Sequence, residues 1–314
     1  MRDPGANRWA QPSVILVATD LSDLDRLMPF ALEQGEQSGA RLILLHVISG
    51  TEMLTADVTG MPYYDPAGAF ESAAKTLELN CAIARGRHIV CDALVREGNA
   101  AQQVLQAARQ FHADRILLGT RSRGRISKLL LGSVAEQVLR SVNLPVITVG
   151  PEAHREVVES APERVVLHAT TLSEASRPSA ALACQMSGLL HARLVLLHVL
   201  PHMDEMKRLS LPTGLDSAAM QQLRIMAKEL ACPGVAVEPQ VVHGDPAIEI
   251  LAKSAELKAR MLVLGGTQRS AFENLTRDRT VYKVLAHARC PVLTLRESAT
   301  REEAWHIAQE VLHS

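Results

Sequence analysis

The sequence predicts an α/β protein made of two repeats of a five-stranded, parallel, open sheet with helices on both faces. Three observations lead to this prediction. Apolar, β-branched runs alternate with helical patterns, the chain repeats itself, and its 314 residues are enough for two domains. Alternating strands and helices imply parallel strands joined by right-handed crossovers, with helices on both sides of the sheet.

The repeat is visible as four collinear matches between the two halves of the chain. In each pair the N-terminal segment is given first: "VILVATDLS" (14–22) and "VVLHATTLS" (165–173), "ARLILLHVI" (40–48) and "ARLVLLHVL" (192–200), "EGNAAQQVLQAA" (97–108) and "HGDPAIEILAKS" (243–254), "NLPVITV" (143–149) and "RCPVLTL" (289–295). The offsets of 146 to 152 residues (243 − 97 and 192 − 40) match a domain rather than a short solenoid repeat. We therefore predict an N-terminal domain over 12–150 and a C-terminal domain over 163–296.

Each copy contains five runs with the composition of buried strands. In the N-terminal copy these runs are "VILVA", "RLILLHVI", "HIVCDALV", "DRILLG" and "PVITVG". The pattern also predicts a helix over Asn99–His112, and its equivalent in the C-terminal copy begins with Asp245 as N-cap and Pro246 as first helical residue. The apolar face of the Asn99–His112 helix consists of Ala100, Val104, Leu105 and Ala108.

Three segments lie outside this regular pattern. Residues 150–164 are polar, begin with Gly-Pro and are predicted to link the two copies. Residues 50–68, which include Tyr63 and Tyr64, predict a long loop that is either a lid over the sheet edge or a variable surface loop. Residues 297–314 predict a C-terminal helix that packs on a domain or binds a partner. Its apolar stripe consists of Trp305, Ile307, Ala308, Val311 and Leu312.

The composition excludes several classes of partner. A formal net charge of −1 gives no global field to attract nucleic acid or an acidic membrane surface. Aromatic residues make up only 3% of the chain, which argues against stacking platforms for single-stranded nucleic acid. The longest apolar stretches are too short to span a bilayer, and the first residues lack the apolar region of a signal peptide.

The five cysteines are scattered along the chain. They are Cys81, Cys91, Cys184, Cys232 and Cys290, and no two of them form a C-x-x-C pair. An odd and unclustered set is typical of reduced thiols rather than of a disulfide framework. We therefore expect a cytoplasmic protein with free thiols.

A glycine-bounded basic loop is the strongest candidate for a binding site. It is "GTRSRGRISKLLLGS" (119–133), and it connects a predicted strand to a predicted helix. Ligands of open parallel sheets bind at the carboxyl ends of strands, and a helix N-terminus there attracts phosphate. Gly119 allows a sharp turn, and Gly132 lets a phosphate approach the amides of Ser133 and Val134. The cations of the loop include Arg121, Arg123, Arg125 and Lys128.

The segment "ATDLSD" follows the first predicted strand and reaches the same edge of the sheet. Both motifs also have simpler interpretations. Ser133 and Glu136 have the spacing of a capping box, which needs no ligand. Asp20, within "ATDLSD", is of a type that commonly forms a turn or caps a helix.

Together with the repeat, these motifs resemble a tandem universal stress protein, with two universal stress protein domains in one chain. The resemblance covers nearly the whole chain and rests on "ATDLSD", "LLHV", "GNAAQQVL" and "LLGTRS…LLLGSVAEQVL…LPVITV". In the nucleotide-binding branch of that family, the motif G-x-x-G-x9-G-[ST] precedes a helix. Gly119, Ser122, Gly132 and Ser133 occupy its positions here, so Ser122 replaces the second glycine.

The resemblance implies a fold like that of the adenine-nucleotide alpha hydrolases and a site for ATP, with Mg²⁺ bound through the phosphates. It implies that Asp20 contacts the adenine–ribose side and that the backbone of Val47 bonds to the base. The residues implied for ribose and phosphates are Gly119, Arg121, Ser122, Gly132, Ser133 and Val134. Domains of this family often pair through their last strands, which here implies pairing of "PVITV" with "PVLTL" in a monomeric pseudo-dimer, or else a homodimer.

The C-terminal copy lacks the same motif. At the corresponding offsets, Gly119 matches Gly265, whereas Gly132 matches Asp278. A carboxylate at position 278 would repel a phosphate. The remaining differences are Gln268 for Ser122, Arg279 for Ser133 and Thr171 for Asp20. We therefore predict one nucleotide per chain, in the N-terminal half.

These observations leave two functions open. The first is a stress-response module that binds ATP and regulates or signals through its occupancy. The second is a nucleotide-independent scaffold that acts through protein contacts. No catalytic or metal-binding residues are predicted: no general base is positioned for hydrolysis, and His198 and His202 lie at a strand end rather than on one helix face. His46 and His198 occupy equivalent strand positions, which favours hydrogen-bonded core histidines.

Overall fold

The described residues of the protein, in a computed structural model, fall into ten stretches. They are residue 9 and residues 11–50, 54–56, 62–120, 131–153, 163–173, 176–202, 214–230, 232–267 and 280–297, with backbone alone for 54–56, 62, 63, 266, 267, 296 and 297. The N-terminal half contains β1 (Val14–Thr19), α1 (Leu24–Ser38), β2 (Arg41–Ile48), β3 (Leu54–Ala56), β4 (Pro62–Tyr64), α2 (Pro66–Gly86), β5 (Cys91–Glu97), α3 (Ala100–Gln110), β6 (Arg115–Gly119), α4 (Ser133–Ser141) and β7 (Val146–Val149). The C-terminal half contains β8 (Val165–Ala169), α5 (Arg177–Leu189), β9 (Arg193–Leu200), α6 (Leu215–Glu229), β10 (Val237–His243), α7 (Pro246–Glu256), β11 (Met261–Thr267), α8 (Thr280–His287) and β12 (Val292–Glu297).

The two halves share one sheet. Ten strands of the described part follow the order β5-β2-β1-β6-β7-β12-β11-β8-β9-β10, and the strands within each half are parallel. The last strands, β7 and β12, pair antiparallel. Thr148 Oγ1 donates to the Val292 carbonyl at 3.3 Å, and Thr294 Oγ1 donates to the Val146 carbonyl at 3.2 Å. The predicted fold class and the internal pairing of the last strands are confirmed.

Because the sheet is continuous, each of its faces carries a core that extends over both halves. Successive residues of β1 alternate between these cores: Ile15 and Val17 face one, and Leu16 and Ala18 face the other. Helices α1, α2, α5 and α6 cover the first face, and α3, α4, α7 and α8 cover the second. Burial on both faces explains why inner strands such as β1 and β8 are mainly apolar, whereas the edge strands β5 and β10 carry more polar residues.

The predicted helix start in the C-terminal half is also confirmed. Asp245 is the N-cap of α7, and its Oδ1 accepts from the N–H groups of Ala247 and Ile248 at 2.9 and 3.1 Å. Pro246 is the first helical residue, where its missing N–H has no cost. Asn99 caps α3 in the N-terminal half in the same way. These two helix starts therefore need no ligand.

Two buried arginines, one from each half, bond to helix α1. Arg260, from the C-terminal half, forms an ion pair with Glu33 on α1, and Arg115 of β6 donates to Gln34 on the same helix. Arg115 also donates to the backbone carbonyl of Trp9 at 2.6 Å. Burial lowers the pKa of Arg115 to about 10. Both guanidinium groups are thus held by α1 of the N-terminal half.

The cysteines correct one prediction. Cys184 on α5 and Cys232, shortly before β10, form a disulfide across 48 residues of sequence, so the expectation of five reduced thiols is wrong. The fold brings the two residues together, and no local spacing signals their proximity. Cys81, Cys91 and Cys290 are free and buried.

Three sequence predictions fall partly outside the described residues. Of the linker predicted over 150–164, residues 154–162 lie outside them, and of the C-terminal helix predicted over 297–314, residues 298–314 do, while Glu297 ends β12. Of the predicted 50–68 loop, β3 and β4 form a small antiparallel hairpin and α2 begins at Pro66. Tyr64 at the end of that hairpin is exposed. Among the helices of the described ranges, none is both long and apolar enough to cross a bilayer.

Candidate functional site

The candidate site lies where the chain reverses its direction of travel across the sheet. From β1 the chain moves to β2 on one side, and it later returns to place β6 on the other side of β1. The carboxyl ends of these strands are adjacent, since Ala18 of β1 pairs with Leu118 of β6 and Thr19 of β1 pairs with His46 of β2. Such switch points are where open parallel sheets bind ligands.

The turn that carries Asp20 is rigid. Asp20 Oδ1 accepts from the backbone N–H of Ser22 at 2.9 Å and from its hydroxyl at 2.6 Å. Leu21 has a left-handed φ of 68°, and its N–H donates to Thr19 Oγ1 at 2.9 Å. Asp20 therefore forms the predicted turn, which fixes its carboxylate at the edge of the sheet.

A second carboxyl group, Asp23, lies beneath this turn. Thr19 Oγ1 donates to Asp23 Oδ1 at 2.5 Å, and the Asp23 side chain is only 3% exposed. Burial raises the pKa of Asp23 to about 6 and outweighs the hydrogen bond from Thr19, which lowers it; the nearby charge of Asp20 adds a smaller rise. The sequence contains this residue in "ATDLSD" but gives no sign of its burial.

Val47 reaches the same edge from β2. The pairing of β1 with β2 ends at Thr19 opposite His46, so Val47 is the first residue of β2 beyond the last pair. Its side chain packs against the second core. Val47, near the end of β2, and Asp20, just after β1, therefore lie at the carboxyl ends of adjacent strands.

The start of α4 differs from the predicted capping box. Gly132, not Ser133, is the N-cap, with an extended backbone (φ −66°, ψ 144°) and an N–H that donates to the Thr120 carbonyl at 2.7 Å. Ser133 is the first helical residue, and Glu136 pairs with Arg140 at 2.9 Å instead of reaching back. The capping-box interpretation is wrong because the bond to Thr120 places the cap one residue earlier. No side chain of the described part caps this helix.

The entry to α4 is held by the other half of the molecule. The Leu131 N–H donates to the Tyr282 hydroxyl at 3.0 Å, and Tyr282, on α8, is 5% exposed. Sequence analysis missed Tyr282, because the two residues are 151 positions apart and no motif connects them. The C-terminal half thus contributes a residue to the framework of the N-terminal candidate site.

The described residues include only the two ends of the glycine-bounded loop. Gly119 ends β6, and Gly132, Ser133 and Val134 begin α4, but residues 121–130 lie outside the described ranges. The roles assigned to Arg121 and Ser122 therefore stay predictions. Thr120 is buried, and its hydroxyl has no hydrogen-bond partner among the described residues.

The equivalent edge of the C-terminal half keeps the turn, with described hydroxyl side chains where the N-terminal turn has Asp20 and Asp23. Thr171 replaces Asp20, and its hydroxyl lies 2.9 Å from that of Ser173. Thr170 donates to Ser176 at 2.9 Å, where Thr19 donates to Asp23 in the first half. Gly265 lies in β11, whereas Gln268, Asp278 and Arg279 are outside the described residues.

The two strand histidines are structural, as predicted. His46 Nδ1 is hydrogen-bonded to the Thr19 carbonyl at 2.9 Å, and His198 Nδ1 makes the equivalent bond to the Thr170 carbonyl at 2.9 Å. Each links the end of a strand to its neighbour. Within the described ranges there is no cluster of three or more side chains suited to a metal ion.

Comparison with known families decides the classification. The model described as "Universal stress protein family" matches the chain twice, over residues 13–150 and 163–296. The chain belongs to the universal stress protein family. The two matched segments correspond to the two sets of five strands, so the chain contains two universal stress protein repeats in tandem.

Individual relatives agree with this classification. A universal stress protein of Mycobacterium tuberculosis is 29% identical over 238 residues, which are 68% of this chain and 77% of that protein. One from Thermus aquaticus is 33% identical over 138 residues, 43% of this chain but 96% of that protein, and so has the length of one repeat. The crystal structure of a universal stress protein from Archaeoglobus fulgidus matches with a TM-score of 0.71 at 22% identity, covering 92% of this chain and 100% of that one. This last similarity supports the fold.

Proposed function

We propose that the N-terminal half binds ATP, with Mg²⁺ held through the phosphates, and that nucleotide occupancy regulates a stress response. The observation that carries this proposal is the start of α4. Gly132 and the first amides of α4 lie at the switch point of the sheet, next to the strand end that carries Asp20, and no described side chain caps them.

The chemistry of this edge suits a nucleotide. Helix N-termini present N–H groups and a partial positive charge, which favour phosphate, and Gly132 has no Cβ to obstruct its approach. The Asp20 carboxylate, fixed by Ser22, is an acceptor suited to ribose hydroxyls. By family resemblance, Arg121 and Ser122 add phosphate contacts and Val47 contacts the base.

We assign no catalytic role to this half. Asp23 has a pKa near that of a general base, but it lies under the turn and is bonded to Thr19 rather than open to the edge. Mg²⁺ would neutralise phosphate charge, as it does in other sites where substrate phosphates supply most of its ligands. Any hydrolysis of ATP is proposed to be incidental.

A second candidate is a scaffold that works through protein contacts without nucleotide. The observation that favours it is that Ser22 donates two hydrogen bonds to the Asp20 carboxylate. A turn held by these bonds is stable without a ligand. The replacement of the second motif glycine by Ser122 points in the same direction. Binding measurements separate the two candidates.

The test is the affinity for Mg-ATP of the Gly132→Asp variant, which copies the residue of the C-terminal half. A carboxylate beside the phosphates is expected to raise Kd by at least about tenfold, which corresponds to roughly 1.4 kcal/mol. Gly86→Asp is the matched control, because it adds the same charge at the exposed end of α2, where a Cβ meets no atom within 4 Å. Equal affinities of the Gly132→Asp variant and the wild type would reject the proposed site.

A further inference from the structure

Two free cysteines lie side by side at the outer edge of the N-terminal half. The Sγ atoms of Cys81, on α2, and Cys91, the first residue of β5, are 2.6 Å apart. Both side chains are buried, with 0% and 2% exposure. A disulfide bond is about 2.05 Å long, so a small approach of the two sulfur atoms would allow one to form.

The backbone holds the two thiols in this arrangement. Arg85, one turn after Cys81 on α2, donates to the Cys91 carbonyl from Nε at 3.1 Å and from Nη2 at 2.7 Å. The connection between α2 and β5 is short, and the Ile89 N–H donates to the Ala84 carbonyl at 3.0 Å. The start of β5 is therefore fixed against α2 before any bond joins the sulfurs.

The other half already contains a disulfide at the opposite edge. Cys184–Cys232 joins α5 to the segment that enters β10, and β10 and β5 are the two edge strands of the ten-stranded sheet. Both cysteine pairs lie in the core formed by α1, α2, α5 and α6. A Cys81–Cys91 bond would give each edge strand one covalent connection to that layer.

We propose that Cys81 and Cys91 form an oxidation site, at which a small hydroperoxide converts the two thiols into an intramolecular disulfide. The Cys81 thiolate attacks the peroxide, the O–O bond breaks, an alcohol or water leaves, and Cys81 becomes a sulfenic acid. Cys91 then attacks the sulfenic sulfur, the S–S bond forms, and the departing hydroxide takes the Cys91 proton as water. Two thiols are oxidised, and one O–O bond is reduced.

The environments of the two thiols assign these roles. The hydrogen bond between them favours the Cys81 thiolate and holds the pKa of Cys81 below its usual value, whereas the same bond and burial raise the pKa of Cys91. Cys81 is therefore the attacking thiol, and Cys91 the resolving one. Cys290 is the internal control, because its neighbour within reach is the Ser254 hydroxyl at 3.5 Å rather than a thiol.

The site is separate from the proposed nucleotide edge. Cys91 begins β5, so the thiols lie at the amino ends of the strands, whereas Asp20 and Gly119 follow the carboxyl ends of β1 and β6. Oxidation would connect α2 to β5 and slow the local opening of this edge. The expected consequence is slower amide exchange in β5 without a change in the fold.

The experiment treats the full-length native protein with hydrogen peroxide, quenches it, alkylates it under denaturing conditions and maps the peptides by mass spectrometry. The expected result is a fall from three alkylated cysteines to one, with a Cys81–Cys91 crosslink and alkylated Cys290. Amide exchange in β5 should then be slower in the oxidised protein. The Cys91→Ser variant should give no crosslink at Cys81. Thiols that persist at 81 and 91, or oxidise only to sulfinic acids, would overturn the proposal.

Discussion

The turns that follow β1 and β8 compare the two halves most directly. Leu21 and Leu172 share a left-handed backbone, with φ of 68° and 60°, and each N–H donates to the threonine hydroxyl two residues earlier. A left-handed leucine is strained, and both halves keep it. The turn geometry therefore belongs to the fold, whereas Asp20 and Asp23 of the N-terminal turn are matched by Thr171 and Ser176 in the C-terminal turn.

The helix starts after β6 and β11 extend this comparison. Gly132 is the N-cap of α4 in the N-terminal half, and the aligned position of the C-terminal half is Asp278. An aspartate caps a helix well, as Asp245 does for α7, but it opposes an anion at the same place. This difference supports the proposal that only the N-terminal edge binds an anionic ligand.

The largest expected effect concerns the junction of the halves. Glu33→Ala leaves the Arg260 guanidinium buried without its carboxylate, which is expected to cost about 3–5 kcal/mol in the free energy of unfolding. Glu238→Ala, which breaks an exposed pair with Arg193, should cost less than about 1 kcal/mol. Chemical denaturation measures both. Equal costs would show that α1 does not hold the halves together through this pair.

The pH dependence of stability should distinguish the turn after β1, where Asp23 titrates, from the turn after β8, where Ser176 takes its place. Because its pKa is raised from 3.8 to about 6 in the folded protein, the unfolded chain releases this proton first as pH rises. The stability that Asp23 contributes is therefore fully present below about pH 4 and is lost as the pH rises to about 6. The loss in the free energy of unfolding is roughly 3 kcal/mol, at about 1.4 kcal/mol per pKa unit.

Asp23→Asn should remove this pH dependence, so that the stability of the wild type relative to the variant falls between pH 4 and pH 7. Urea denaturation at the two pH values measures the change. Ser176→Ala, at the corresponding place in the C-terminal turn, should lower stability equally at both. A pH-independent difference between wild type and Asp23→Asn would contradict the buried position of Asp23.

The smallest expected effect concerns the hydrogen bond from the Leu131 N–H, at the entry to α4, to the Tyr282 hydroxyl of the C-terminal half. Tyr282→Phe leaves the buried Leu131 N–H without its acceptor, which is expected to cost about 1–3 kcal/mol. Mg-ATP affinity should also weaken, by up to about tenfold, because the entry to α4 loses its anchor. Calorimetry measures both quantities, with Tyr64→Phe on the exposed hairpin as the control. Unchanged stability and affinity would remove Tyr282 from the framework of the site.

Local patterns predicted the parts of the molecule that local physics determines. Buried strands are recognisable because both faces are covered, and the α7 start is recognisable because Asp245 and Pro246 meet its requirements within two residues. The family resemblance then predicted the junction, since domains of that family often pair through their last strands and β7 pairs with β12 here.

Other features depend on contacts between distant segments. The Cys184–Cys232 disulfide, the Leu131–Tyr282 bond and the Arg260–Glu33 pair all join residues that are far apart in sequence. The capping box failed for the same reason. Ser133 and Glu136 have the correct spacing, but the bond of the preceding glycine to the Thr120 carbonyl moves the cap by one residue.

The proposed function requires that the N-terminal half binds a nucleotide and that the C-terminal half does not. The decisive measurement is equilibrium binding of Mg-ATP to the purified full-length chain, with the sites counted. We expect one site per chain, lost in Gly132→Asp and retained in Gly86→Asp. Two sites would contradict the assignment of the C-terminal half, and no site would leave α4 as a helix start without a ligand and favour the scaffold function.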